Sequence, residues 1–344
     1  MHKLKSIMPL VLATAWLSVA AAGANKKATQ SHEADRAIVG SKADALWRHP
    51  DDIASRNLFY GPGGKEHQPH GPFTFVKEDL DGTNPKFVVK DPDGMKWKVK
   101  LGQEARPETA ASRMMWAAGY FADEDYLVPI LRVRDMPSRL KRGQQFINPD
   151  GSMNDARLKR EPEDEKKVGG WRWRNAPFVG TREFNGLRVM MALINNWDLK
   201  DTNNAIRERL GPSGSDLRYL LSDLGASFGT ARRDWPVIIA KGCLDSYRQS
   251  KFIVDATPYY VNFAVPGRPS IKIMVNPRSY FGRTRFRWIG WHIPREDARW
   301  MGQLLARLSP EQIRDAFRAA GYGPGEVEGF AMIVENRIAQ LKAL

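Results

Sequence analysis

Three short alternating runs with tight turns between them leave few ways to arrange the first foldable part of this chain. Phe73 to Leu80 runs into Asp81-Gly82, Lys86 to Lys90 into Asp91-Pro92-Asp93-Gly94, and Met95 to Leu101 stops at Gly102. Gly, Pro, Asn and Asp supply the dihedral angles and local hydrogen bonds that turns require. Joints this short connect antiparallel neighbours, because a parallel crossover needs a dozen residues or more. In the third run Trp97, Val99 and Leu101 share one face, while Lys96, Lys98 and Lys100 share the other. The stretch reads as an antiparallel meander.

Pro107 to Ala118 follows as a short helix, with proline in its first turn, Glu108 at the positive end of its dipole and Gly119 as its stop. Ala111, Met114, Met115 and Ala118 fall three and four apart and predict one buried stripe. Tyr126 to Val133 reads as a further strand. Residues 137–181, with the charge-dense stretch Arg157 to Lys167 and the cluster Trp171-Arg172-Trp173-Arg174, read as a long charged loop insertion. The two tryptophans either stack on nucleobases or pack on their own domain. Helical spacing resumes over Arg182 to Ile194, and short strand signals follow at Ala205-Ile206 and Tyr219-Leu220-Leu221. Tyr259 to Val265 and Ser270 to Val275 are suited to pairing as strands. Helices are expected over Arg295 to Leu308, Ser309 to Ala320 and Glu326 to Leu341, the second opening with Ser309-Pro310-Glu311-Gln312, close to a capping box.

The first residues read as an export signal. Lys3 and Lys5 precede an apolar run from Ile7 to about Ala20, and Ala22-Gly23-Ala24 offers the small residues of a cleavage site. The run is shorter than the roughly 20 residues of a membrane span. The expectation is a signal peptide at 1–24, a tether and loop at 25–72, and an exported product, periplasmic or secreted. Of 344 residues 53 are Lys or Arg and 39 Asp or Glu, a charge of +14 that predicts attraction to phosphates, nucleic acid or acidic polymers. A single cysteine, Cys243, excludes an internal disulfide and a thiolate zinc cluster, and the six histidines include no HExxH spacing.

The most informative stretch is Asp198-Leu199-Lys200-Asp201-Thr202-Asn203, placed between a helix and a strand and followed by Asp223-Leu224-Gly225. Phosphoryl transfer depends on positioned charge: a carboxylate facing the acceptor hydroxyl, oxygen donors holding a divalent metal against the phosphates, and lysines neutralising the rest. The first segment resembles the catalytic loop of the protein-kinase-like superfamily, whose common form is D-L-K-P-E-N, and the second resembles its metal-binding D-F-G turn. Upstream, a lysine on the third strand and a glutamate on the next helix fit the same pattern. The run from Glu108 through Ala117-Ala118-Gly119-Tyr120 to Val128-Pro129 is similar to the HipA-type kinases, and an exported chain of this kind resembles the secretory-pathway kinases. Asn196-Trp197 stands where His-Arg is usual, no G-x-G-x-x-G lies in the first strand turn, leaving Asp81-Gly82-Thr83-Asn84 for that task, and no A-P-E follows.

The resemblance implies an α+β, bilobal fold, with an antiparallel N-lobe sheet and one helix at 73–136 and a mainly helical C-lobe at 182–344. It implies an exported ATP-dependent, divalent-metal-dependent phosphotransferase whose acceptor is unknown. Asp198 and Lys200 would be catalytic, Asn203 and Asp223 would hold Mg or Mn, and Lys100 with Glu108 would meet the nucleotide phosphates. Lys98 shares the face of Lys100 and stays an alternative. Two other classes compete: an exported pseudokinase that binds without transfer, and a polyanion-binding module.

Overall fold

The computed structural model describes residues 44–82, 84–211, 214–230, 240–265 and 277–344. The expected signal peptide, residues 25–43 of the tether, Thr83, Pro212-Ser213 and the strand at Ser270 to Val275 lie outside the described residues.

The meander forms as its turns dictate. Strands β1 (Phe73–Asp79), β2 (Lys86–Lys90) and β3 (Lys96–Lys100) pair antiparallel in chain order. Trp97, Val99 and Leu101 bury against Phe87, Val89 and Leu158 to make a small apolar core for the sheet. Helix α1 (Ala105–Ala117) follows, entered through Gly102 and stopped at Gly119, both with the positive φ that glycine adopts without strain. Its stripe of Ala111, Met114, Met115 and Ala118 is buried, but not in the sheet core. It joins the large core of the helical half, with Phe184, Met190 and Phe317.

After α1 come β4 (Asp125–Leu131) and β5 (Val133–Arg134), the latter lying parallel to β1. The reading of 137–181 as a charged loop is then corrected. Met153–Glu161 is a strand, β6, and it lies between β4 and β3, so the sheet runs in the order β4-β6-β3-β2-β1-β5. Its alternation is Ala156 and Leu158 on the core face against Arg157, Lys159 and Glu161 on the other. That second face is charged yet largely buried, because Arg157 and Lys159 meet Asp125, Glu108 and Asp123. A buried strand face normally shows apolar residues, which is why the charge density reads as loop.

Strand β7 (Glu165–Gly169) leaves the sheet and pairs with β8 (Asn204–Gly211), itself hairpinned to β9 (Gly214–Leu221). Between them lies helix α2 (Arg182–Leu193), capped by the Thr181 hydroxyl, which accepts from the Phe184 amide at 3.1 Å. The remainder is α3 (Leu244–Gln249), strands β10 (Ile253–Ala256) and β11 (Tyr260–Phe263), α4 (Pro277–Thr284), β12 (Ile293–Pro294), α5 (Arg295–Leu305), α6 (Pro310–Arg318) and α7 (Pro324–Lys342). The expected capping box is present on α6: the Gln312 amide donates to Ser309 and the Gln312 side chain accepts from the Ser309 amide. A sheet half with one helix and a mainly helical half make the architecture α+β and bilobal. No helix among the described residues is long and apolar enough to cross a membrane.

Candidate active site

The loop expected to carry the chemistry is fixed from three sides. Helix α2 ends at Asn195, whose φ of +53° suits an asparagine better than most side chains. The buried guanidinium of Arg337 on α7 donates to the carbonyls of Ala192 at 3.2 Å and Leu193 at 3.0 Å, meeting the unpaired acceptors of the helix end. The Phe228 amide donates to the Ile194 carbonyl at 2.8 Å. Asn196 through Asn203 is therefore held at the edge of the large core, with Leu199 buried in it.

Within the loop the Asp198 amide donates to Asn196 Oδ1 at 2.9 Å, and Lys200 Nζ lies 3.2 Å from Asp198 Oδ2. Asn203 Nδ2 donates to the Asp198 carbonyl at 2.6 Å, so the amide oxygen is the side-chain atom not used by that bond. Asp201 turns back and accepts from the Trp173 amide at 3.1 Å. The β8–β9 hairpin then returns the chain. The Ser222 amide donates to the Asn203 carbonyl at 2.9 Å, and the Trp197 amide to the Ala226 carbonyl at 3.4 Å. Asp223-Leu224-Gly225 is stitched beside the loop by these bonds.

From the sheet side, Lys100 reaches the same place. Its ammonium lies 2.6 Å from Glu108 Oε2, 3.2 Å from Glu104 Oε2 and 3.3 Å from Asp223 Oδ1. Glu108 also accepts from Arg157 at 3.1 Å. Burial alone would lower the Lys100 pKa, but Glu108, Asp223 and Glu104 outweigh it and hold the amine above its ordinary value. Burial pushes Glu108 upward against Arg157 and Lys100. With two cations within 3.1 Å we take it as ionised at neutral pH. Lys98, the alternative on the same face, is held elsewhere, by Glu161 at 3.1 Å and Asp79 at 3.4 Å.

Three converging residues escaped the sequence reading. Glu104, at the start of α1, accepts from Lys100, from Lys241 and from Asn84 of the β1–β2 turn. Burial would raise its carboxyl, but the lysines and Asn84 hold it down at about 2. Gly225 makes room for it: a Cβ there would lie 2.5 Å from the Glu104 Cβ. The spacing of Glu104 and Glu108, one helical turn, was the available signal. Lys241 and Arg157 had none, since each meets its partner only through tertiary contact. The tryptophan cluster is settled differently. Trp171 and Trp173 are buried in the large core, against Phe178 and Phe184, so the pair offers no stacking platform.

A strand lysine paired to a helix glutamate, facing an Asp-x-x-x-x-Asn loop and an Asp-x-Gly turn across a hairpin, sets the architecture. It is the arrangement that the resemblance to the protein-kinase-like superfamily implies. No family model and no curated protein matches the chain. Among solved structures it is similar to the Helicobacter pylori proinflammatory kinase CtkA over 78% of this chain and 93% of that one, at 10% identity and a TM-score of 0.41. It is also similar to the golgi casein kinase over 84% of this chain and 78% of that one, at 11% identity and a TM-score of 0.32.

Proposed function

We propose that the chain is a phosphotransferase that uses a nucleoside triphosphate, ATP in the first instance, with Mg or Mn. The observation that carries this reading is Lys100, whose ammonium joins the helix carboxylate Glu108 to Asp223 of the Asp-x-Gly turn. The same observation favours Lys100 over Lys98 for the phosphate contact.

The donor set suits a hard divalent cation. Asn203 and Asp223 offer an amide oxygen and a carboxylate, brought together by the hydrogen bond from Ser222 to Asn203. Asn203 and Asp223 would hold the ion, which would supply charge neutralisation at the nucleotide phosphates. The protein's own residues do the rest. Lys100 is kept charged and aimed by Glu108, and it contacts the nucleotide phosphates. Asp198 orients the acceptor hydroxyl and takes its proton, and Lys200, 3.2 Å from that carboxylate, steadies the phosphoryl group in transfer. Asn84 brings the β1–β2 turn down over the same cleft through Glu104.

The test is a thermal-shift series on the full chain with ATP and GTP, each with and without Mg or Mn, followed by a phosphoryl-transfer assay. Binding at 100 times its dissociation constant adds about 2.7 kcal/mol. Metal-dependent stabilisation with transfer supports the enzyme; metal-dependent stabilisation with no transfer to protein, small molecules or water makes it a pseudokinase. Export is proposed from Lys3, Lys5 and the apolar run after them, and the mass of the protein recovered outside the cytoplasm tests it.

A further inference from the structure

Between the Tyr120-to-Glu124 link and the β8–β9 hairpin lies a cavity of about 250 Å³. Its walls contain none of Lys100, Glu108, Asp198, Asn203 or Asp223. They contain six arginines, at 48, 56, 160, 207, 209 and 218, against three carboxylates, Asp123, Glu124 and Glu165.

The arginines divide into two kinds. Arg207 is fully engaged, 2.7 Å from buried Asp123 and 2.6 Å from Glu165. It is structural. Arg56 and Arg209 are each matched by a carboxylate, Asp52 at 2.9 Å and Asp164 at 3.1 Å, and Arg160 lies 3.4 Å from Glu124. Arg48 and Arg218 differ from all of these. They share a single carboxylate, Asp216, at 2.7 and 3.0 Å, and both guanidiniums lie 5.1 Å from the ring centre of Phe121. Two cations on one aromatic ring with one counter-charge are held in place and short of one negative charge.

We propose that this cavity binds a small free oligophosphate anion of the pyrophosphate class. The Arg48–Phe121–Arg218 clamp would supply forked donors, whose geometry matches phosphate oxygens bidentately. The cavity is smaller than the roughly 300–1,000 Å³ of sites for drug-sized ligands, which favours an inorganic anion over a whole nucleotide. The proposal does not depend on phosphoryl transfer in the cleft.

Isothermal titration of the full chain with inorganic pyrophosphate, in a low and a physiological salt buffer, tests it. The expected result is one saturable site in wild type, an affinity at least tenfold lower in the Arg48→Gln/Arg218→Gln double variant, and unchanged affinity in Lys200→Met, a change at a partly exposed cleft lysine. Arg48 is about half exposed, so Arg48→Gln alone gives the readout if the double variant melts early. No saturable binding in wild type overturns the proposal. Binding that survives the loss of Arg48 and Arg218, or that disappears in Lys200→Met, places the anion elsewhere and overturns it equally.

Discussion

Lys100 and Arg157 stand directly opposite one another on neighbouring strands, two buried cations side by side in one row of the sheet. Like charges in that position repel. What makes the pair tolerable is Glu108, reaching in from α1 to accept from Lys100 at 2.6 Å and from Arg157 at 3.1 Å. The helix is thereby required at that place by the sheet's own electrostatics, before any substrate is considered.

Removing one member of this cluster should therefore cost far more than removing a neighbour. Lys100→Met leaves Glu104 and Glu108 each short of a buried cation, and the expected loss is about 3–5 kcal/mol. Lys98→Met removes a partly exposed pair with Asp79 and Glu161 and should cost about 1 kcal/mol or less. Urea unfolding midpoints of the two variants make the comparison. Equal losses would refute the assignment of Lys100 as the cleft lysine.

The two aspartates should fail in different ways. Asp223→Ala removes an oxygen donor from the cation site, so metal-dependent nucleotide binding should collapse. Asp198→Ala should retain that binding and lose transfer by about 100- to 10,000-fold, the usual worth of such a base. Calorimetric titration with metal-nucleotide, read beside single-turnover rates, separates them. Identical defects in both measurements would sink the division of roles.

Glu104 predicts an acid-sensitive component of stability. Its folded pKa, about 2, lies below the ordinary carboxylate value, so its contribution is complete above roughly pH 4.3 and is lost as pH falls toward 2. The span corresponds to on the order of 3 kcal/mol at most. Stability of Glu104→Gln, followed by urea midpoint from pH 6 to pH 2.5, should fall less steeply than wild type. A parallel curve would mean that Glu104 does not hold the lysines as described.

In the tryptophan cluster the cost should follow burial. Trp173→Ala empties part of the large core and should cost about 3–5 kcal/mol. Arg172→Ala, exposed beside it, should fall within about 0.5 kcal/mol. A melting series on the two variants decides the matter.

Much of the fold was legible because its local signals agree. The turns at Asp81-Gly82 and Asp91-Pro92-Asp93-Gly94 give the meander, the stripe of Met114 and Met115 gives α1, and Ser309 with Gln312 gives the start of α6. The loop from Asp198 to Asn203 and the turn at Asp223 were legible as a motif, and so was the choice between Lys98 and Lys100 as a pair of alternatives. Strand β6 was not. Its face opposite the sheet core is built of Arg157 and Lys159, and a sequence shows their charge without showing that Glu108, Asp125 and Asp123 wait for them on other elements. Lys241 was hidden for the same reason, while Glu104 had only its one-turn spacing from Glu108 to mark it.

The strand that carries Lys100 is packed into the small core of the sheet, and the helix that carries Glu108 is packed into the large core of the other half. The 2.6 Å contact between them thus crosses a mechanical seam. Arg157, on the neighbouring strand, reaches the same carboxylate at 3.1 Å, so two cations of the sheet meet the helix at one point. Glu108 thereby ties the sheet to the core of the other half and holds Lys100 where Asp223 also meets it.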